Sequence, residues 1–276
     1  MKIGIIINAS KDIDGAIIKF VKEKLSIFYS DVEIQIFDDP NIHKKKISKL
    51  DFILVLGGDG TVLRSAKAVI EKEIPILPIN IGSLGFITSG ELEELEEILK
   101  KIVAKQYYIE ERLVLNCNIQ GDHEFNFIAL NEVTITKGTL SRIVKYNIDI
   151  NDKMYSSFKG DGVIISTPTG STAYSLSAGG PIIEPSLELI SITPICSQNF
   201  SIRTMVLDKD SKVKVYLSEV KDKVYITIDG QEYVKVDEKD IITLTSYHKK
   251  IKFIRTDNYD YFNILNKKIL SNGKEY

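Results

Sequence analysis

Asp59 stands in the run Gly57-Gly58-Asp59-Gly60-Thr61, directly after the apolar stretch Phe52–Leu56 and before Val62, Leu63, Ala66 and Ile70, which recur at helical spacing. The pattern is a strand, a glycine turn and a helix start. Glycines let the backbone come close to an oxygen-rich ligand, and the N–H groups at a helix N-terminus favour phosphate. Gly57, Gly58, Gly60 and Thr61 are therefore candidate phosphate contacts, and Arg64, one helical turn on, is spaced to face the same charge. A carboxylate among such amides can take a proton from an attacking hydroxyl or help hold a metal that neutralises a polyphosphate. Asp59 could equally serve as a helix cap, and a short Gly-Asp-Gly alone does not decide between the two. No GK[ST] follows and the spacing is not GxGxxG, so two common nucleotide cradles are excluded.

Two further segments carry turn and hydroxyl chemistry. Pro78-Ile79-Asn80-Ile81-Gly82-Ser83-Leu84-Gly85-Phe86 is a second glycine turn after a strand, and two such turns after neighbouring parallel strands would wall one crevice. Phe158-Lys159-Gly160-Asp161-Gly162 leads through Val163-Ile164-Ile165 into Ser166-Thr167-Pro168-Thr169-Gly170-Ser171-Thr172-Ala173-Tyr174-Ser175, and Ala178-Gly179-Gly180-Pro181 closes the stretch. So many hydroxyls and tight turns are poorly explained as one passive loop.

The elements that must hold these turns read as an α/β N-terminal domain with a parallel sheet, followed by a mainly β domain. Lys2–Asn8, Val32–Phe37, Phe52–Leu56 and Ile76–Ile79 read as strands; Ile13–Phe28, Thr61–Glu71 and Ser89–Ala104 have amphipathic helical spacing. In the last of these Leu92, Leu95, Leu99, Ile102 and Val103 form one stripe, with acids first and lysines last, as the helix dipole favours. After Tyr107, Leu113–Ile119, Phe125–Thr136, Val144–Ile150, Val213–Leu217, Val224–Ile228 and Ile241–Ser246 alternate as strands do. The expected division is residues 1–104 against 105–252.

The chain has 276 residues, ample for two cores, and 36 basic against 38 acidic side chains leave a net charge of −2. No overall basic field favours nucleic acid or an anionic membrane, and no apolar run is long enough to cross a bilayer. The run Met1-Lys2-Ile3-Gly4-Ile5-Ile6-Ile7 reads as a buried strand rather than a signal peptide, so a cytoplasmic location is expected. His43-Lys44-Lys45-Lys46 reads as a solvated surface. Cys117 and Cys196 are too far apart in sequence for a metal knuckle and read as structural thiols. His43, His123 and His248 lack zinc-hydrolase spacing and lie outside the glycine-rich segments.

The ordered set GGDGT, NIGSLGF, Asn131-Glu132 and GDGVIISTPTGSTAYSLSAGGP closely resembles the bacterial ATP-NAD kinases over nearly the whole chain. GGDGT alone is shared with diacylglycerol and sphingosine kinases; the long second signature separates the NAD kinases from them. The resemblance implies phosphorylation of the 2′-hydroxyl of the adenosine ribose of NAD, with ATP as donor and a divalent metal, Mg²⁺, as counter-ion. It implies Asp59 as proton acceptor, with Gly60 beside it in the nucleotide site. It further implies Asn131, Glu132, Arg142, Lys159, Thr169, Thr172, Ala173, Tyr174, Ser175, Leu176 and Ser177 as dinucleotide contacts, with Asp161 reaching NAD across a subunit interface. Gln231, in Asp229-Gly230-Gln231, corresponds to a further contact, although Asp-Gly is also the strongest hairpin signal. A homodimer or homotetramer is implied. So is a return of the C-terminal segment, residues 253–276, to the first domain, with Tyr261, Phe262, Leu265 and Ile269 spaced as a docking helix. Relatives read ITPICPH where this chain has Ile192-Thr193-Pro194-Ile195-Cys196-Ser197-Gln198, so the Pro-His pair is missing here.

Overall fold

A computed structural model of the chain describes residues 1–39, 47, 49–82, 85–138, 142–199 and 201–270. The cation run His43–Lys46 and the loop residues Ser83 and Leu84 lie outside the described residues. The chain forms two compact units, Met1–Glu111 with Ile251–Tyr276, and Arg112–Lys250.

The first unit is built on a sheet whose strands run, edge to edge, Glu33–Asp38, Lys2–Ile7, Phe52–Leu56, Ile76–Asn80, Ile251–Arg255 and Tyr108–Arg112. The pairs along the first five are parallel. Strands covered on both faces must be apolar throughout, and Ile3, Ile5, Ile6, Ile7 and all of Phe52–Leu56 are buried. Ile3, Ile5, Ile7, Leu54 and Leu56 share one core with Val21, Leu25, Leu95, Ile98, Leu99 and Ile102. Each such side chain contributes about 1.5–3 kcal/mol on burial. The chain steps to opposite sides of Lys2–Ile7, so the carboxyl ends of the strands beside it flank a crevice of the kind ligands occupy.

Local polar contacts shift two boundaries from the sequence reading. The first helix spans Ala16–Phe28 rather than starting at Ile13. Gly15 precedes it at φ 71, and the Asp12 carboxylate accepts from the N–H groups of Ile17 (2.8 Å) and Ile18 (3.0 Å), capping it there. The helix expected over Ser89–Ala104 spans Leu95–Val103. Before it, Gly90–Glu91 adds a short strand, and Glu91 and Glu94 cap the turn Leu92–Glu94 reciprocally. At the C-terminal end the strand Ile251–Arg255 enters the sheet, with Phe253 opposite Ile76. The helix Tyr261–Leu265 follows, but Phe262 is 67% exposed and does not dock.

The second unit holds two antiparallel sheets that share one core. One is ordered Lys153–Gly160, Val144–Ile150, Val213–Ser218, Ile241–Ser246, Leu115–Gln120, Glu124–Ala129; the other Met205–Asp208, Leu189–Ile195, Gly162–Ser166, Glu132–Lys137, Val224–Ile228, Glu232–Val236. Alternate residues of both, among them Leu115, Cys117, Tyr146, Ile148, Val133, Ile135, Val163 and Ile165, form the core. The single strand expected over Phe125–Thr136 is two, because the chain leaves one sheet at Ala129 and enters the other at Glu132. Burial pushes the Cys117 thiol up to about 12, leaving it inert; Cys196 is exposed. Among the described residues no helix is long and apolar enough to cross a membrane.

Candidate active site

The chemistry of the first unit gathers where Phe52–Leu56 ends. Gly57 has no room for a side chain: a Cβ there would lie 2.6 Å from Thr61 Cβ. Gly58 is the N-cap of the helix Asp59–Val69, and no side chain caps it. Above Gly58 the space is open, and above Gly60 the nearest atom is Arg64 Nη1 at 3.9 Å from a would-be Cβ. An uncapped helix N-terminus behind open glycines suits an anion.

Asp59 does not cap its own helix. Its carboxylate accepts from the N–H of Phe86 at 2.9 Å and of Ile87 at 3.0 Å, which draws the second glycine turn onto the first. Gly85 is glycine for the same reason: a Cβ would sit 2.3 Å from Asp59 Oδ1. Each carboxylate oxygen holding one N–H keeps a further lone pair for a ligand. The second turn is itself fixed from behind. Arg255, fully buried, donates to Ile87 O and Ser89 Oγ, both at 2.8 Å, and to Glu110 Oε2 at 2.8 Å. Asn80 closes the turn by donating to Gly82 O at 2.9 Å and Glu91 Oε2 at 2.7 Å.

Arg64 and Thr61 are partly committed elsewhere. Arg64 donates from Nε to Asp39 Oδ1 (2.8 Å) and from Nη2 to Asp39 Oδ2 (2.5 Å), and the buried Thr61 hydroxyl donates to Asp39 Oδ2 at 3.2 Å. The hydrogen bond to Asp39 raises the Arg64 guanidinium above its ordinary value, so it stays charged. These contacts lock the first helical turn to the end of Glu33–Asp38 and turn the Thr61 hydroxyl inward; its N–H donates to Gly58 O at 3.0 Å, so Thr61, expected as a phosphate contact, is committed to the fold instead. Asp39 carries no motif that singles it out in the sequence.

In the second unit the peptide run Leu130-Asn131-Glu132 is gripped from two sides. Asp229 Oδ2 accepts from Leu130 N at 3.1 Å, and its Oδ1 accepts from Asn131 N at 2.8 Å and Glu132 N at 3.2 Å. The carbonyls on the other side are held by Thr167 Oγ1 to Leu130 O (2.5 Å) and Ser166 Oγ to Asn131 O (3.2 Å). Gly170 packs so closely that a Cβ would lie 2.2 Å from Asn131 O. Asn131 Oδ1 and Glu132 Oε2 are left buried with no hydrogen-bond partner among the described residues. Orphaned polar atoms cost about 1–3 kcal/mol each, which points to a ligand that completes them. Burial, and next the charge of Asp229, push the Glu132 carboxyl up to about 8, against a lowering by the Tyr174 peptide N–H.

Of the neighbouring candidates, Thr169 is buried, its hydroxyl accepting from Arg112 Nη1 at 3.3 Å. Ser175 is also buried, its hydroxyl bonded to Thr193 Oγ1 at 3.2 Å. Thr172, Ala173 and Leu176 are half-buried and Ser177 is exposed. Tyr174 is 45% exposed, so it is no core aromatic and presents a ring face for stacking. Asp229 (φ 51) and Gly230 (φ 64) make the hairpin turn that the dipeptide signals, and Gln231 N donates to Ile228 O at 2.9 Å in the same turn. The Asp229 carboxylate adds a clamp that the turn signal does not reveal.

Arg142, Lys159 and Asp161 are not assembled with this group. Glu132 pairs with Ser166 while Thr136 pairs with Gly162. Asp161 therefore stands at the far end of that strand, roughly 13 Å away or more at about 3.3 Å per residue. There Asp161 Oδ1 is 3.5 Å from Lys137 Nζ and Lys159 Nζ is 2.6 Å from Glu219 Oε2. Arg142 is exposed, its backbone N–H on Asp222 Oδ2 at 3.1 Å.

Comparisons with known proteins bear on both units. Residues 14–107 match the ATP-NAD kinase N-terminal domain and residues 130–256 the ATP-NAD kinase C-terminal domain. The chain is 43% identical over 275 residues to an NAD kinase of Clostridium beijerinckii, covering 99% of this chain and 97% of that one. It is 44% identical over 275 residues, with the same coverage, to an NAD kinase of Clostridium botulinum. Among solved structures, an NAD kinase from Archaeoglobus fulgidus in complex with ATP superposes with a TM-score of 0.78 at 26% identity, covering 98% of this chain and 99% of that one. The fold is also that of a yeast NADH kinase complexed with NADH, with a TM-score of 0.84 at 22% identity over 100% of this chain and 89% of that one. With both domain models matched in order and relatives above 40% identical along nearly the whole length, the chain belongs to the ATP-NAD kinase family.

Proposed function

We propose that the chain transfers the terminal phosphoryl group of ATP to the 2′-hydroxyl of the adenosine ribose of NAD, giving NADP and ADP. The reading is carried by one observation beside the family membership: a carboxylate, Asp59, is fixed where two glycine turns meet, next to an uncapped helix N-terminus. The 2′-oxygen attacks the γ-phosphorus in line as the bond from that phosphorus to the β–γ bridging oxygen breaks. The hydroxyl proton passes to a free lone pair of the Asp59 carboxylate, and the leaving oxygen departs on ADP. The N–H groups of Gly57 and Thr61 are spent on Ile79 O and Gly58 O, both at 3.0 Å, so the open backbone around Gly58 and Gly60 and the charge of Arg64 take the phosphate chain. Asn131, Glu132, Thr169, Thr172–Ser177 and Gln231 hold the dinucleotide, with Tyr174 offering the stacking face.

Among the described residues no group of three His, Cys, Asp or Glu side chains is placed to hold a metal ion. We assign the divalent cation, Mg²⁺ by its fit to phosphate oxygens, to the donor substrate as its ATP complex. Because Lys159 and Asp161 stand far along the strand from Glu132, we propose that a second copy supplies them, which makes the working unit a homodimer or homotetramer. We propose a cytoplasmic location, consistent with two cysteines that form no disulfide.

The test is to incubate the purified chain with Mg·ATP and NAD and to follow NADP with an NADP-specific dehydrogenase. Formation of one NADP per ADP is the expected result. No NADP, with phosphate from ATP passing instead to a diacylglycerol acceptor in the same preparation, would overturn the reading.

A further inference from the structure

Two carboxyl groups meet at the acceptor site in unequal surroundings. Asp229 is 7% exposed, its carboxylate takes three peptide N–H groups, and its charge acts on Glu132. Glu132 is 6% exposed and keeps Oε2 buried with no hydrogen-bond partner among the described residues. Its surroundings come from three elements. The hairpin turn brings the charge of Asp229, and the short helix brings the Tyr174 peptide N–H. Strand Gly162–Ser166 and the residue after it bring the hydroxyls of Ser166 and Thr167, both donating to backbone carbonyls. A second negative charge beside Asp229, out of water and with an oxygen unsolvated, is the arrangement two nearby carboxyls avoid by keeping a proton on one of them.

We propose that Glu132 meets the acceptor as a neutral carboxylic acid, kept protonated by its burial and by the neighbouring Asp229, and donates a hydrogen bond to it. The proposal rests on the acceptor-site reading given above and adds the protonation state of that site. Asn131 Oδ1, the other orphaned atom, is an acceptor. A carbonyl that accepts and an acid that donates match a ribose hydroxyl, which has one proton to give and lone pairs to receive. An ionised Glu132 would offer acceptors only, and would set a second charge near a ligand already negative through its pyrophosphate. Asp229 is thus a positioning residue twice over: it orients the peptide and sets the charge of its neighbour.

The proposal predicts a pH dependence of binding that is separate from catalysis. NAD has no group that titrates between pH 7 and 9.5. Burial, and next the charge of Asp229, push the Glu132 acid up to about 8. If only the neutral form binds, the affinity measured by calorimetry on the full chain without ATP is expected to be about thirty-fold weaker at pH 9.5 than at pH 7, since each pH unit above the midpoint costs about tenfold. Glu132→Gln, whose amide donates at every pH, is expected to remove that alkaline fall. In the wild type, the carbonyl stretch of a protonated carboxyl, followed by infrared difference against the variant, should titrate with the same midpoint. A flat wild-type profile with NAD still bound would overturn the proposal and leave the acceptor reading standing. So would an alkaline fall that survives in Glu132→Gln. Failure of NAD to bind at any pH would sink the acceptor reading itself. Should the variant not fold, the infrared titration of the wild type decides alone: no protonated-carboxyl band between pH 6 and 8 overturns the proposal.

Discussion

Replacing Gly85 by alanine isolates the position of one carboxylate from everything else in the site. The backbone at Gly85 is not in the left-handed region, so alanine brings no strain of its own. Its methyl would lie 2.3 Å from Asp59 Oδ1 and 3.0 Å from Cγ, where ordinary contact begins at 3.4 Å. The difference, 3.4 − 2.3, is 1.1 Å, and the carboxylate can yield by turning about its side-chain torsions. That movement stretches the two hydrogen bonds from Phe86 and Ile87, at a cost of about 1–3 kcal/mol in the stability of the turn, a small part of what holds a unit of this size. Catalysis is more sensitive, because a misplacement of about 1 Å in a reacting group costs on the order of 10²-fold. The expected outcome is a folded enzyme, by circular dichroism and a thermal melt, whose kcat for NADP formation is about a hundredfold lower. KM for NAD should change far less. A kcat within threefold of wild type in a folded sample would mean that the Asp59 contact with the second turn has no part in turnover.

Three further outcomes follow from other contacts. Asp59→Asn should lower kcat by roughly 10²- to 10⁴-fold while NAD still binds, because the general base is lost and an amide N–H now faces one of two peptide donors; calorimetry beside the kinetic assay checks both halves. The raised Glu132 value has a stability consequence of fixed sign. From its ordinary 4.5 to about 8 the unfolded chain releases a proton that the folded one keeps, so this group removes stability as pH rises through that window and no more above it. Glu132→Gln should therefore gain melting temperature relative to wild type on going from pH 5 to pH 8, and a constant difference in thermal melts would refute the linkage. Finally, if Asp161 acts on a neighbouring copy, mixing inactive Asp59→Asn chains with inactive Asp161→Ala chains under subunit exchange should restore part of the activity. No recovery, with exchange verified by mass spectrometry, would return Asp161 to a structural role.

The two glycine turns were legible in the sequence because their demands are local. Gly57 and Gly85 are glycines on account of side chains within the same pair of turns, and the apolar runs that lead into them are buried on both faces. The helical stripe from Leu95 onward was legible for a like reason. Helix starts moved with local caps such as Asp12, but the larger misreadings depend on partners distant in sequence. The break at Leu130-Asn131 inside an unbroken alternating run is imposed by Asp229, about a hundred positions away. Ser89 reads as a helix start, yet it is held by Arg255 and Ile254 from the end of the chain. Arg64 reads as a phosphate ligand one turn after Asp59, and its partner Asp39 ends a strand whose sequence gives no sign of the pairing. Periodicity and turn chemistry describe what a segment prefers; they do not say which remote group will claim its spare donors.

The late strand Ile251–Arg255 imposes an order of assembly. It pairs with Ile76–Asn80 inside the sheet, and Arg255 holds the carbonyl of Ile87, whose own N–H holds Asp59. During synthesis the first hundred residues leave the ribosome with Gly90–Glu91 paired to Ile79 and Asn80, but with the Ile76 end of that flank bare and the turn between them not held by Arg255. Some hundred and fifty more amino acids must be added before that flank is covered. A nascent chain can thus hold the glycine turns and the carboxylate long before it can aim them, and a truncation that removes only the final strand should yield a protein that keeps its second unit and has no aligned base.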